Sequence, residues 1–178
     1  MNILNVEFKA QVDDIQSCEM RLKALNPRFV GVDHQVDTYF HVSHGRLKLR
    51  EGNIEHALIH YDREDRAGAK SSQVLLYKCQ PDPALRQILA LHLGVKVVVD
   101  KVRRIYFVDN VKFHFDRVEG LGEFLEVEAI DYQGMFSREQ LVQQCAYYAG
   151  VFGIRPADYV KQSYSDMVLE RSSSPGMK

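Results

Sequence analysis

The chain has 178 residues, 46% hydrophobic and 26% charged, with 23 Lys and Arg against 24 Asp and Glu for a net charge of -1. That length and balance suit one globular domain with a substantial core, and they exclude the strongly basic field of a general nucleic-acid or anionic-membrane binder. Three widely spaced cysteines, Cys18, Cys79 and Cys145, indicate neither a disulfide framework nor a thiolate zinc site and suit a reducing cytosol. The opening MNILNVEFKA lacks the basic-then-apolar pattern of a signal peptide, and no apolar run approaches the roughly 20 residues that span a bilayer.

The first element is a strand over 3–11, with Leu4, Val6, Phe8 and Ala10 on one face and Asn5, Glu7, Lys9 and Gln11 on the other. A helix follows over 13–25, its stripe formed by Ile15, Cys18, Leu22 and Leu25, and Asn26-Pro27 ends it. Strands are expected at 36–42 and 45–50 around the turn Ser43-His44-Gly45, and in the second Leu47 and Leu49 oppose Arg46, Lys48 and Arg50. Strands at 56–63 and 72–79 come next. A helix over 83–93 has Asp82 as N-cap, Pro83 at its first position and Gly94 at its end.

A long strand over 96–108 places Lys101 and Arg103 on one face and Arg104 on the other, and Asp109-Asn110 turns it into a strand over 111–118. There Val111, Phe113 and Phe115 oppose Lys112, His114 and Asp116. The turn Gly120-Leu121-Gly122 leads to a strand over 123–130, in which Leu125, Val127 and Ala129 oppose Phe124, Glu126 and Glu128. A third helix over 138–149 starts at Ser137, with Gln140 completing a capping box. Pro156 opens a shorter final element. We expect a single domain over 1–170 and a disordered tail over 171–178, RSSSPGMK.

Many strands, short turns and few helices make an α+β, mainly antiparallel domain. A sheet covered by helices on its apolar side and wet on the other accounts for the alternation. Two features favour something else. Like charges recur at every second position (Arg46, Lys48, Arg50; Lys101, Arg103; Glu126, Glu128), which is costly unless opposite charge lies among them. Eight strands can also close into a barrel wide enough for one small ligand, with the charged faces inward. Lys and Arg in such a cavity would neutralise a polyphosphate, while carboxylates would hold Mg²⁺ or Mn²⁺ through oxygen. A phosphate-binding loop of the G-x-x-x-x-G-K-[ST] type is absent, and Gly120-x-Gly122 is too short for a dinucleotide fingerprint.

The ordered motifs resemble the CYTH superfamily, the triphosphate tunnel metalloenzymes that include class IV adenylyl cyclases, thiamine triphosphatases and inorganic triphosphatases. Asn5-Val6-Glu7-Phe8-Lys9 is similar to its E-x-E-x-K strand, Asp37-Thr38-Tyr39-Phe40 to D-x-Y-F, and Leu47-Lys48-Leu49-Arg50 to L-R-x-R. Lys101-Val102-Arg103 is similar to K-x-R, Phe115-Asp116 and Gly122-Glu123-Phe124-Leu125-Glu126-Val127-Glu128 to D followed by L-G-x-F-x-E-x-E, and Lys161-Gln162-Ser163-Tyr164 to a late basic residue before S-Y. The overall look and length are closest to the cyclase-like branch.

The resemblance implies a closed eight-stranded antiparallel β-barrel, a triphosphate tunnel with helices packed outside. It implies Glu7, Glu126 and Glu128 as ligands of Mg²⁺ or Mn²⁺, and Lys9, Lys48, Arg50, Lys101 and Arg103 as phosphate binders, with Arg63 and Lys161 as looser additions. Lys101 and Asp116 are the candidate catalytic groups, Asp116 as a further ligand or orienter. The expected activity is cyclisation of ATP to cyclic AMP and pyrophosphate, or hydrolysis of an inorganic or organic triphosphate, by a cytoplasmic protein. A homodimer is a family-level expectation. Asn5 departs from the family pattern by replacing a carboxylate with an amide, so metal demand is expected to be altered. Two other classes stay open: a non-catalytic triphosphate or polyphosphate binder, and a charged docking module.

Overall fold

The computed structural model describes residues 4–63 and 70–173, with the backbone alone at Arg63 and at 70–73. Among the described residues the strands are β1 (Leu4–Gln11), β2 (Arg28–Phe40), β3 (Arg46–Gly52), β4 (His56–Arg63), β5 (Lys70–Lys78), β6 (Val95–Val108), β7 (Val111–Val118) and β8 (Gly122–Asp131). The helices are α1 (Ile15–Lys23), α2 (Pro83–Leu93), α3 (Arg138–Phe152) and α4 (Tyr164–Ser173). All strand pairs are antiparallel, in the order β1-β5-β4-β3-β2-β6-β7-β8, and β1 also pairs with β8, so the ladder returns to its first strand.

The strand alternation decides which side faces where. Val6, Phe8 and Ala10 of β1 point outward and are buried with Phe113 and Phe115 of β7 and Leu125, Val127 and Ala129 of β8. Cys18 and Leu22 of α1 and Leu141, Cys145, Tyr148, Ala149 and Phe152 of α3 cover them. Each large apolar side chain buried there contributes roughly 1.5–3 kcal/mol. The main core therefore lies outside the barrel wall, which leaves the inner face for polar groups. Helix ends follow the local chemistry: Asp14 accepts from Ser17 N at 2.9 Å to start α1, Ser137 and Gln140 form the capping box of α3, and Gly153 ends α3 in the left-handed region at φ 69°. Arg104, on the outer face of β6, pairs with Glu19 of α1 at 2.8 Å, and Tyr106 donates its hydroxyl proton to the same carboxylate.

At one end of the barrel the inner face becomes apolar. Tyr39, Val99, Val118 and Phe124 gather there, and the C-terminal segment covers them with Val160, Tyr164, Met167 and Val168. That segment is anchored to β1, since Ala10 bridges Tyr159 and Val160 N donates to Lys9 O at 2.9 Å.

Several boundaries differ from expectation by one to three residues, such as the end of α3 at Phe152 rather than 149, and three differences are larger in kind. β2 begins at Arg28 rather than at 36, because a register shift between Phe29 and Gly31 interrupts the period of two that marks a strand. The final element is a 3-10 turn at Pro156–Asp158 followed by α4. α4 runs to Ser173, past Arg171 where the tail was expected to begin, and residues 174–178 lie outside the described residues. No helix of the described residues is long and apolar enough to cross a membrane.

Candidate triphosphate and metal site

The inward face of the strands lines a cavity of about 630 Å³. Lys9, Lys48, Arg50, Lys101 and Arg103 supply cations to it, and Glu7, Glu126 and Glu128 supply carboxylates. Pairing explains how residues remote in the chain converge. Asp37 of β2 lies opposite Arg50 of β3, Arg103 of β6 opposite Asp116 of β7, and β8 sets Glu126 opposite Lys9 and Glu128 opposite Glu7. Because directly opposed residues share a face, each pair points into the same space.

Two buried carboxylates hold the cations. Asp37, 1% exposed, accepts from Lys101 Nζ at 2.7 Å, from Lys48 Nζ at 2.9 Å, and from Arg50 through Nε at 2.8 Å and Nη2 at 2.9 Å. Burial opposes its ionisation, yet Arg50, Lys101 and Lys48 hold the Asp37 carboxyl well below the usual range. Asp116 takes a bidentate contact from Arg103, Nε at 2.7 Å and Nη2 at 2.5 Å, plus the Tyr164 hydroxyl at 2.8 Å. The alternating like charges of the sequence are thus separated by buried counter-charges.

Burial pulls the Lys101 ammonium down to about 7; the ion pair with Asp37 works against the shift, and Arg50, Arg103 and Lys48 reinforce it. Burial outweighs the close Asp37 partner and the neighbouring cations add to it, so an anionic ligand beside Lys101 would restore its charge.

The carboxylates gather on β1 and β8, beside Lys9 and Arg103. His114, Glu126 and Glu128 each offer one ligand atom within 4.8 Å of the others. Glu126 is bound by Lys9 at 3.2 Å and by Arg103 at 2.6 Å, and against burial these hold it well below the usual range. Burial raises Glu128 to about 7; Lys112 opposes the shift, while Glu7 and Glu126 add to it. His114 is 1% exposed, and burial together with Arg103 and Lys112 pushes it down to about 3, so its imidazole is neutral at pH 7. Its Nε2 and the Asn5 Oδ1 are buried without a hydrogen-bond partner among the described residues. Clustered oxygen donors, one neutral imidazole and an unpartnered amide oxygen fit a hard divalent cation.

The structure distributes the remaining expected residues differently. Asp116 is fully buried behind Arg103 and does not line the cavity, so its contacts are those of an orienting group. Lys161 is exposed, next to the segment that leads into α4, and does not line the cavity. The Arg63 side chain lies outside the described residues.

Sequence reasoning gave no role to Asp37, Lys112, Glu55 or Tyr164. Asp37 and Tyr164 stood inside quoted motifs, and Lys112 shared the inward stripe of β7. Glu55 lies in the turn between β3 and β4, where alternation carries no information. Its carboxylate accepts from Lys112 at 2.6 Å and from Arg50 Nη1 at 2.8 Å. Tyr164 lies under Lys9, with Nζ 3.7 Å from the ring centroid.

Comparison with known proteins places the fold and the family. A protein of Methanocaldococcus jannaschii, named as a putative adenylate cyclase, is 24% identical over 174 residues, covering 93% of this chain and 98% of its own. The structure of a Pyrococcus horikoshii protein superposes with a TM-score of 0.75 at 26% identity, covering 93% of this chain and 98% of its own. A Hippeastrum protein described as a putative adenylyl cyclase with a dominant triphosphatase activity has the same fold at TM-score 0.57 and 17% identity, with 97% of this chain and 96% of its own covered. The family model for the CYTH domain matches residues 4–144, from β1 into α3, and the chain belongs to that family.

Proposed function

We propose that the protein is a divalent-metal-dependent enzyme that acts on a triphosphate inside a closed tunnel. The observation that carries this reading is the cavity itself, which brings Lys9, Lys48, Arg50, Lys101 and Arg103 into one space with Glu7, Glu126 and Glu128. Lys9, Lys48, Arg50, Lys101 and Arg103 bind the phosphate oxygens, the arginines with bidentate geometry. Asp37 fixes the direction of Lys48, Arg50 and Lys101, and Asp116 that of Arg103. Glu7, Glu126 and Glu128, with His114 and the Asn5 amide oxygen beside them, hold Mg²⁺ or Mn²⁺. A metal held by these residues would supply positive charge against the negative charge that builds at the reacting phosphorus.

The same groups serve two reactions. In hydrolysis, water attacks the terminal phosphorus and the bond to the diphosphate breaks. In cyclisation, the ribose 3′-hydroxyl of ATP attacks the α-phosphorus, its proton is lost, and pyrophosphate leaves. The name of the Methanocaldococcus relative supports the cyclase, and the activity described for the Hippeastrum protein supports the triphosphatase. The second reading is a non-catalytic triphosphate binder. It is favoured by Asn5, a neutral amide in the cavity where the family pattern has a carboxylate. We expect a cytosolic protein, where ATP and Mg²⁺ are at hand.

The test is to incubate the protein with ATP, and separately with inorganic triphosphate, with Mg²⁺ or Mn²⁺, and to resolve the products by chromatography. Cyclic AMP with pyrophosphate, lost in a Glu126→Ala plus Glu128→Ala variant, establishes the cyclase; orthophosphate establishes the triphosphatase. Tight binding with no turnover of either substrate gives the binder.

A further inference from the structure

We infer that the turn between β3 and β4 is a counterion latch, and that Glu55 sets the selectivity of the cavity among polyanions. The latch rests on the triphosphate reading and concerns how the cations are held before a ligand arrives. The turn is fixed from behind by Asp33, which is fully buried. Its Oδ1 accepts from Ile54 N at 2.8 Å, and its Oδ2 from Glu55 N at 3.0 Å and Gln35 Nε2 at 2.7 Å. Gly52 makes the close approach feasible, since a Cβ there would lie 2.7 Å from both Asp33 Oδ1 and Glu55 O.

Held this way, Glu55 extends its carboxylate into the cavity. Oε1 takes Lys112 at 2.6 Å, and Oε2 takes Arg50 Nη1 at 2.8 Å and Gln35 Nε2 at 3.1 Å. The Glu55 side chain remains 27% exposed, whereas those of Asp37 and Asp116 are 1% and 0% exposed. The two buried carboxylates are part of the wall. Glu55 instead hangs from a turn into the ligand space, and its two oxygens satisfy two cations as a phosphoryl group would. A ligand must displace it to reach Lys112 and the outer nitrogen of Arg50. A triphosphate offsets that displacement through simultaneous contacts with Lys48, Lys101 and Arg103, while orthophosphate has no such reserve.

The test is calorimetric titration of inorganic triphosphate and of orthophosphate, in Mn²⁺ at low ionic strength, into the wild type and Glu55→Gln. We expect Glu55→Gln to bind triphosphate at least fivefold tighter and to bind orthophosphate measurably, so that selectivity falls. The gain should vanish in a Lys112→Met background and be absent in Glu51→Gln, which removes a like charge from the outer face of β3. Glu55→Asp, too short to span both cations, should show an intermediate gain and guards against loss of fold in the amide variant. Unchanged or weaker triphosphate binding in a folded Glu55→Gln overturns the latch alone. Absence of triphosphate binding in every form overturns the triphosphate reading and the latch with it.

Discussion

Glu128→Gln should make the metal-free protein more stable at alkaline pH while removing its response to metal. Glu128 is raised from 4.5 to about 7, first by burial and then by the neighbouring Glu7 and Glu126. For an acid raised in the folded state, the protonated form is favoured by folding. That contribution is fully present below the unfolded value and is lost as pH climbs through about 7. Above that, the forced charge costs on the order of 3 kcal/mol, the free-energy equivalent of the rise from 4.5 to about 7. The side chain keeps 20% of its surface exposed, so solvent screening brings the expectation nearer ~2 kcal/mol.

The neutral isostere should therefore raise the unfolding temperature in chelator by roughly 4–8 °C at pH 8 and by only a small part of that at pH 5, just above the unfolded value of 4.5. Thermal unfolding followed by circular dichroism across pH 5–8 measures this directly. Added Mn²⁺ should stabilise the wild type and not the variant, because a metal bound only to the folded state adds stability by mass action. Equal stabilisation at both pH values, or none at pH 8, would refute the claim that Glu128 is a carboxylate held at a cost for a cation.

Asp37→Asn leaves Lys48, Arg50 and Lys101 without their shared counter-charge and should destabilise the fold by about 3–5 kcal/mol; denaturant unfolding measures the loss, and added triphosphate should recover more stability than in the wild type. Tyr164→Phe removes the 2.8 Å hydrogen bond that helps orient Asp116 and should cost about 1 kcal/mol in denaturant unfolding, with a change in kcat on the better substrate smaller than the loss from Glu126→Ala. Leu22→Ala, at a fully buried position under the barrel wall, should cost about 2–5 kcal/mol in the same unfolding assay without altering KM. Asn5→Glu should lower the Mn²⁺ concentration needed for half-maximal turnover; an unchanged metal titration would sink the idea that the amide alters metal demand.

How much was legible follows from where each group sits. The faces of β1, β7 and β8 could be assigned because their charges and apolar residues alternate without interruption, as in Val6, Phe8 and Ala10 against Glu7 and Lys9. The ends of α2 and the start of α3 were legible because capping is a local hydrogen-bond event, and Asp82 and Ser137 accept from backbone N–H groups within three residues. The first half of β2 was not, since the register shift at Gly31 breaks the period and Val30 and Val32 face out, half-exposed. Arg103 and Asp116 were both singled out from motifs, yet alternation states only that they share a face. That Asp116 lies behind Arg103, and that Glu55 reaches across to Lys112, are facts of three-dimensional closure between residues 13 and 57 positions apart.

Whether a triphosphate and a divalent metal share this cavity can be seen by anomalous diffraction from crystals grown with Mn²⁺ and inorganic triphosphate. We expect a manganese peak within coordination distance of Glu126 and Glu128, with phosphate density in contact with Lys48, Arg50 and Lys101. Manganese held elsewhere, or triphosphate bound on the outer surface with the cavity still closed over Asp37 and Glu55, would contradict it.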